Sequence, residues 1–382
     1  MLSHTPVISF LALALVPVLF WVFLFPVLFS ATSIPETSCN FQAFDMASPF
    51  STAVTPYQED LQKLHGVPNA SYGKTLKGKK GSPNALFFGF LFGNHERGVK
   101  FLQDCGLLKT DMLCPNCGSN MSLSRSAATI DKCRWVCGKG KRGQRCRGTR
   151  SLRHSSWFTR SKLALVQIML LTLDILVKIP AKGISKQHQI AKQTVTDWSH
   201  FCKDVILDYI QSTTEKIGGE GKVVEIDESK FGKRKYNRGH HVEGQWVFGG
   251  VERGSGRTFL VAVHDRSENT LIGLIKEWIE PGTTIISDCW AAYRSIPRAG
   301  YDHLTVNHSI GFKNHENDAH TNTIESTWRH VKVLMHPYCR KPDYIYALAD
   351  YMFRKKCTAE RVEPFSKFMD IVAAIDWTYL NK

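Results

Sequence analysis

Hydrophobic and polar positions change period several times along this chain. Residues 7–30, VISFLALALVPVLFWVFLFPVLFS, carry no charge. At ~20 residues per bilayer crossing, that run is long enough to span a membrane. Pro17 and Pro26 interrupt it, and only His4 stands where a signal peptide keeps its basic residues. Residues 1–30 therefore read as a signal-like or membrane-spanning segment, or as a mis-assigned start outside the working protein. Residues 31–84 lose periodicity and are rich in Ser, Pro, Gly and Lys (GKTLKGKKGSPN), the pattern of a linker. Residues 85–111 form a short helical lead-in, with one amphipathic helix around 94–104 and a turn at Gly106. Residues 161–215 are helical. SKLALVQIMLLTLDILVKI is one apolar run that stops before Pro180 and Gly183. Gln167, Asp174 and its short length make it a buried core helix rather than a span. A shorter helix follows, then a break near Gln193–Thr194 and an amphipathic helix over 194–210, together a helix-turn-helix-like DNA-binding pattern.

From 222 to 357 the period alternates between strand and helix. KVVEIDESKF reads as a strand. GQWVFGGVERGSG and GRTFLVAVHD read as a hairpin turning at Gly254-Ser255-Gly256. Then come a helix (TLIGLIKEWI), a strand (TTIISD), a helix (CWAAYRSI), a strand (HLTVNHS) and a helix (TNTIESTWRHVKVLMH) ended by Pro337. The order βββαβαβα predicts an α/β, ribonuclease-H-like domain, a mixed five-stranded sheet with flanking helices. Residues 358–382 read as a C-terminal tail.

Composition and charge narrow the class. Hydrophobic residues make up 43%, enough for sizeable cores, and the formal net charge is +15. Such a balance suits a polyanion, nucleic acid or an anionic membrane face. Several of the eleven cysteines cluster over 105–146 in a basic run, which favours a metal site over disulfides. Cys114 and Cys117 form a CxxC turn in MLCPNCGSN, and Cys133, Cys137 and Cys146 follow. Residues 112–160 thus predict a zinc-ribbon-like module. Structural Zn²⁺ is expected on Cys114, Cys117, Cys137 and Cys146, with Cys133 and Cys137 as the competing second pair. From Lys132 to Lys162 there are eleven Lys or Arg and no acid. With Trp135 and Trp157 interleaved, that run is set to meet phosphates through Lys141, Arg142 and Arg145.

Three acids then stand out. Asp227 and Asp288 each sit in or at the end of a β-branched run, and Glu325 lies in a helical pattern. Such carboxylates suit two Mg²⁺ (or Mn²⁺) ions that hold the attacking and leaving oxygens of a phosphodiester. Each acid also has a bland reading, since Asp288 could simply cap the segment after it. Asp265 and Asp318 are alternative acids. Glu225 shares a face with Asp227, while Glu228 points the other way. After the first strand come Lys230, Lys233, Arg234, Lys235 and Arg238, with Phe231 and Tyr236 interleaved, which read as a DNA-gripping segment. Trp328 is expected beneath the Glu325 helix, and His330 and Lys332 toward phosphates.

On these residues the chain resembles transposases of the Merlin superfamily and the related bacterial ISXO type, over about 95–357. The pieces are FLQDCGLL, CPNCG, EIDESKFGKRKYNRG, WVFGGVERGSGR, ISDCWAAY and HTNTIESTWRHVK. The resemblance implies a DDE-type transposase that binds double-stranded DNA at terminal inverted repeats, cuts there and joins the ends to target DNA. It implies a homo-oligomer on DNA, and a nuclear location in a eukaryote, with a membrane or secretory alternative from residues 7–30. Carried over, the triad is Asp227, Asp288 and Glu325, with Asn322 in support. The apolar N-terminus and the wide second cysteine knuckle depart from the family. The alternative is a catalytically silent, transposase-derived, sequence-specific DNA-binding protein.

Overall fold

The computed structural model describes residues 49–65, 83–140, 145–232, 244–307, 319–335 and 343–378. Residues 7–30, Lys141, Arg142, Lys233, Arg234, Lys235, Arg238 and Asp318 lie outside them. Three helices come first: α1 (Pro49–His65), α2 (Ala85–Phe92) and α3 (His95–Asp104). Asn84 and Asn94 start α2 and α3 by accepting the Phe87 and Arg97 amides at 2.9 and 3.1 Å, the usual N-cap role of Asn. A Cys-rich antiparallel sheet follows, β1 (Ser122–Arg125), β2 (Cys133–Val136) and β3 (Thr149–Ser151). Then come α4 (Leu165–Leu176), α5 (Ala181–His188) and α6 (Lys192–Thr213).

These helices share one core with the chain's last described helix, α10 (Pro364–Ala374). Phe50 of α1 and Phe88 of α2 meet Phe365 of α10 edge-on at 5.7 and 5.8 Å. The Phe50 amide donates to Asp370 at 2.8 Å. Two expectations change as a result. Residues 31–84 contain a helix rather than only linker, and residues 358–382 contain a core helix rather than a loose tail. The reason is that, among the described side chains of α1, Phe50 and Val54 are buried and Ala53 and Tyr57 half-buried, a stripe narrow enough to leave composition close to that of a linker. Trp157, expected to face phosphate, is 1% exposed and stacks on Phe201 at 4.3 Å. Trp135 is likewise buried, behind the cysteines.

The helix-turn-helix-like break lies earlier than expected. Helix α5 ends at His188, Gln189 adopts a left-handed conformation (φ 53°), and α6 starts at Lys192. A glutamine at positive φ leaves no Gly signal to read. His188 and Trp198 tie both helices to α4, through Asp174 at 2.6 Å and Thr172 at 2.9 Å.

The C-terminal half is a mixed α/β fold. Its five-stranded sheet runs β10-β9-β5-β6-β7, with β5 (Val223–Phe231), β6 (Gln245–Glu252), β7 (Thr258–Val263), β9 (Thr284–Asp288) and β10 (Asp302–Val306). The pairs β5–β6 and β6–β7 are antiparallel, and β5–β9 and β9–β10 are parallel. The short strands β4 (Ile217–Gly218) and β8 (Ile279–Glu280) pair separately. One sheet face packs on α7 (Glu268–Trp278) through Val224, Ile226, Phe248, Phe259 and Ile285. The other packs on α8 (Asn322–Leu334) and α9 (Tyr344–Ala359) through Phe231, Val247, Leu260, Trp328 and Leu348. CWAAYRSI, expected as a helix, forms a single 3₁₀ turn at Ala291–Tyr293, and a second follows it at Pro297–Ala299. Gly300 at φ 91° then turns the chain before a full α-turn can accumulate.

The localisation expectation, nuclear with a membrane or secretory alternative, is withdrawn. Among the described residues no helix is long and apolar enough to cross a membrane. The segment behind the alternative, residues 7–30, lies outside them.

Candidate active site and cysteine centre

The site is built on β5, whose alternation sends Glu225 and Asp227 toward α8 and Val224 and Ile226 toward α7. Asp227 pairs across the sheet with Gly249. A Cβ at Gly249 would come within 2.6 Å of Leu260 Cδ2 and 2.8 Å of Trp328 Cη2, so glycine leaves room for the indole. Trp328 Nε1 donates to Asp227 Oδ2 at 2.9 Å. Gly249→Ala is therefore expected to cost about 1–3 kcal/mol by overpacking, read as a lowered urea midpoint. An unchanged midpoint would show that Trp328 moves aside freely.

The N-terminus of α8 is held by a strand carboxylate. Glu225 is 0% exposed and accepts from Thr323 N at 2.8 Å, Thr323 Oγ1 at 2.8 Å and Ile324 N at 3.0 Å. Arg253 Nε donates to the same carboxylate at 2.6 Å, and its Nη2 donates to the His320 carbonyl. The first free amides of a helix carry partial positive charge, so a buried carboxylate there satisfies both partners. Glu325 follows directly. It is exposed, its Oε1 accepts from Thr321 Oγ1 at 3.1 Å, and at three residues before Trp328 it shares that helix face.

Asp288 arrives from the neighbouring strand. The parallel register pairs Glu225 with Ile286, so Asp227 and Asp288 stand two residues further along each strand. Asp288 Oδ1 also accepts the Trp290 amide at 2.9 Å, the local capping role that a lone Asp often fills. Burial pushes the Asp227 carboxyl up to about 7. The Trp328 hydrogen bond opposes that rise, and the Glu228 and Asp288 charges add to it. Glu228 is also raised, first by burial and then by Asp288, against a hydrogen bond donated by Tyr293 OH. Three carboxylates thus bear on one another, an arrangement that a divalent cation relieves.

Other candidate acids and bases are engaged elsewhere. Asp265 accepts from Ser267 N and Thr270 Oγ1, both at 2.8 Å, at the start of α7. Lys332, read as a phosphate contact, donates to Ser229 Oγ at 2.7 Å and lies over Phe231. Lys230 and Arg145 are exposed.

The cysteines Cys114, Cys117, Cys137 and Cys146 have sulfurs all within 4.8 Å of one another. Cys114 lies 3.5 Å from Cys146, and Cys117 lies 3.5 Å from Cys137. Four sulfurs around one Zn²⁺ at ~2.3 Å would be about 3.8 Å apart, so the set fits the ion. A Cβ at Gly148 would sit 2.4 Å from Cys114 Sγ, which leaves a cradle only glycine keeps open. Hydrogen bonds from Ser119 hold the Cys117 thiol down at about 6. Against the pull of a Lys139 amide, burial and the neighbouring thiols push Cys137 up to about 12. Cys133 is separate and packs into the helical core.

The family model of the ISXO2-like transposase domain matches residues 216–342. Over those residues the chain is similar to that domain. An uncharacterized transposase-like protein of Haemophilus influenzae is 28% identical over 76 residues, 20% of this chain and 60% of that protein. The chain thus spans less than two thirds of that relative's length. Among solved structures, the catalytic core domain of BIV integrase is 15% identical, with a TM-score of 0.26, over 35% of this chain and 84% of that one. The HTLV-2 integrase catalytic core domain, solved with magnesium, is 14% identical, with a TM-score of 0.24, over 36% and 87%.

Within the transposase domain, reading the sequence missed what orients the acids. Glu225 was visible only as an acid on the Asp227 face, and nothing local announced that it caps α8. In the sequence Thr321 reads as an ordinary N-cap, and only the structure shows that its side chain makes no cap bond and that the first amides go to Glu225 instead. The Tyr293–Glu228 pair, from segments far apart in sequence, had no local signal at all.

Proposed function

We propose that this chain is a DDE-type DNA transposase, a polynucleotidyl transferase that cuts and joins DNA at element ends. Its ribonuclease-H-like domain would use Asp227, Asp288 and Glu325 to hold two Mg²⁺ or Mn²⁺ ions. One observation carries the reading: Asp227 and Asp288 stand at matching positions on two parallel strands, and the helix bearing Glu325 is bonded onto the same strand by Trp328 and Glu225. Bound there, two divalent cations would activate water or a 3′-hydroxyl and steady the leaving oxygen. The chain's own residues do the positioning. Trp328 fixes one oxygen of Asp227. Glu225 sets the first turn of α8, and so the place of Glu325. The transposase domain match and the net charge of +15 support DNA as substrate. The four cysteines would hold a structural Zn²⁺ that keeps Arg145 and its basic neighbours on one small scaffold.

Nicking of supercoiled plasmid by the full chain, with Mg²⁺ or Mn²⁺, tests the reading. Asp288→Ala is expected to bring nicking to background while DNA binding survives. Equal nicking by both proteins would overturn the assignment of the site. Binding with no nicking of any DNA, the element's own ends included, would leave the binding-only alternative.

A further inference from the structure

Next to Glu228 and Asp288, four side chains alternate cation and ring. Lys230 and Trp246 are cross-strand partners of β5 and β6, with Lys230 Nζ 5.6 Å from the ring centroid. The Arg266 guanidinium lies 3.8 Å over Trp246 and 4.6 Å over Trp290, between the two rings. Trp290 comes two residues after Asp288, and its amide is bonded to that carboxylate. Trp290 is nevertheless 42% exposed, whereas Trp135, Trp157, Trp328 and Trp377 are all at most 6% exposed. The ring is thus fixed on one side by a guanidinium and anchored by its own backbone, with much of its surface left to solvent.

We infer that Trp290, backed by Arg266, is a stacking platform for an unpaired nucleobase of the DNA strand that passes Asp227 and Asp288. This rests on the nucleic-acid reading above and adds to it the form of DNA the site takes. Bases in a duplex are already stacked on their neighbours and present only edges, so a ring platform selects a nucleotide that has left the helix. An aromatic platform accepts any base, because every base has a π-face. A guanidinium behind the ring adds a cation–π term and a positive charge close to the phosphates. Lys230, at the far end of the ladder and exposed, extends that positive charge along the strand path.

Fluorescence anisotropy with the full chain tests this, using a labelled blunt duplex and the same duplex carrying a single-stranded 3′ overhang, without added Mg²⁺ or Mn²⁺. Wild type is expected to bind the overhang about tenfold more tightly than the blunt duplex, the scale of one stacked base. Trp290→Ala should erase that preference and leave blunt-duplex affinity unchanged, while Trp290→Phe keeps it. A wild type with no preference, a preference that survives Trp290→Ala, equal loss for both DNAs, or no DNA binding at all would overturn the inference. Cleavage plays no part in the readout. A chain that never nicks DNA but loses its overhang preference with Trp290→Ala upholds the platform and sinks the transferase reading. The converse pair of results does the reverse.

Discussion

Glu225→Ala is expected to lower the free energy of unfolding by about 3–5 kcal/mol, the range for breaking a buried ion pair from one side. Four donors converge on this carboxylate: Arg253 Nε, Thr323 N, Thr323 Oγ1 and Ile324 N. Truncation leaves two helix amides and a guanidinium without their acceptor, and each buried orphan costs about 1–3 kcal/mol. Arg253 is 27% exposed and recovers some water, which places the result toward the lower end. Glu225→Gln keeps the shape but replaces one acceptor oxygen with an NH₂ that must face a donor, so an intermediate loss of about 1–2 kcal/mol follows. Urea unfolding measures both. The functional consequence separates this from general damage. Because Glu225 sets the first turn of α8, Mn²⁺ affinity should fall in the Gln variant even where the protein is fully folded. A Gln variant with wild-type Mn²⁺ affinity would reduce Glu225 to a purely structural role.

Stripping the cysteine centre is expected to have the second large effect, and a local one. Structural Zn²⁺ sites supply about 10–16 kcal/mol of apparent folding energy in small peptides. Here the apolar residues beside the sulfurs are few: Met121, Trp135 and half-buried Met112. That cluster cannot replace the metal. Chelation should remove hydrogen-exchange protection over residues 112–140 and 145–148. It should spare 152–158, because Leu152, Trp157 and Phe158 are set in the helical core. The transposase domain should keep its protection. Metal analysis adds a sharper check: Cys137→Ser should lose zinc and Cys133→Ser should retain it. Loss of protection across the whole chain in one step would contradict the local picture, and zinc retained by Cys137→Ser would contradict the ligand set.

Much of the C-terminal half was legible because its information is local. VVEIDESKF, WVFGGVE and TTIISD alternate or run apolar over strand lengths, and Gly254 and Gly256, both at positive φ, mark the hairpin turn. The cysteine spacing likewise announced one tight knuckle, and four of the clustered cysteines do meet. The N-terminal half was harder. Helix α1 buries a single stripe against α10, some three hundred residues away in sequence, and neither segment carries a pattern that names the other. The turn at Gln189 used a residue type that does not usually mark one.

By itself, the order of residues determined the strands of the C-terminal half and the helices around them, where the acids and thiols lie along the chain, and its strong positive charge. These are properties of short windows, set by period, turn chemistry and composition. Folding in three dimensions determined the rest: that burial, and then Glu228 and Asp288, raises Asp227, that Glu225 caps a helix about a hundred residues downstream, that Trp328 reaches Asp227, and that Arg266 lies between two tryptophans. Those facts depend on strand register and on which helix covers which face. Register is a contest among many long-range pairings that differ by a few kcal/mol in burial and hydrogen bonding, and only the folded chain adds them up.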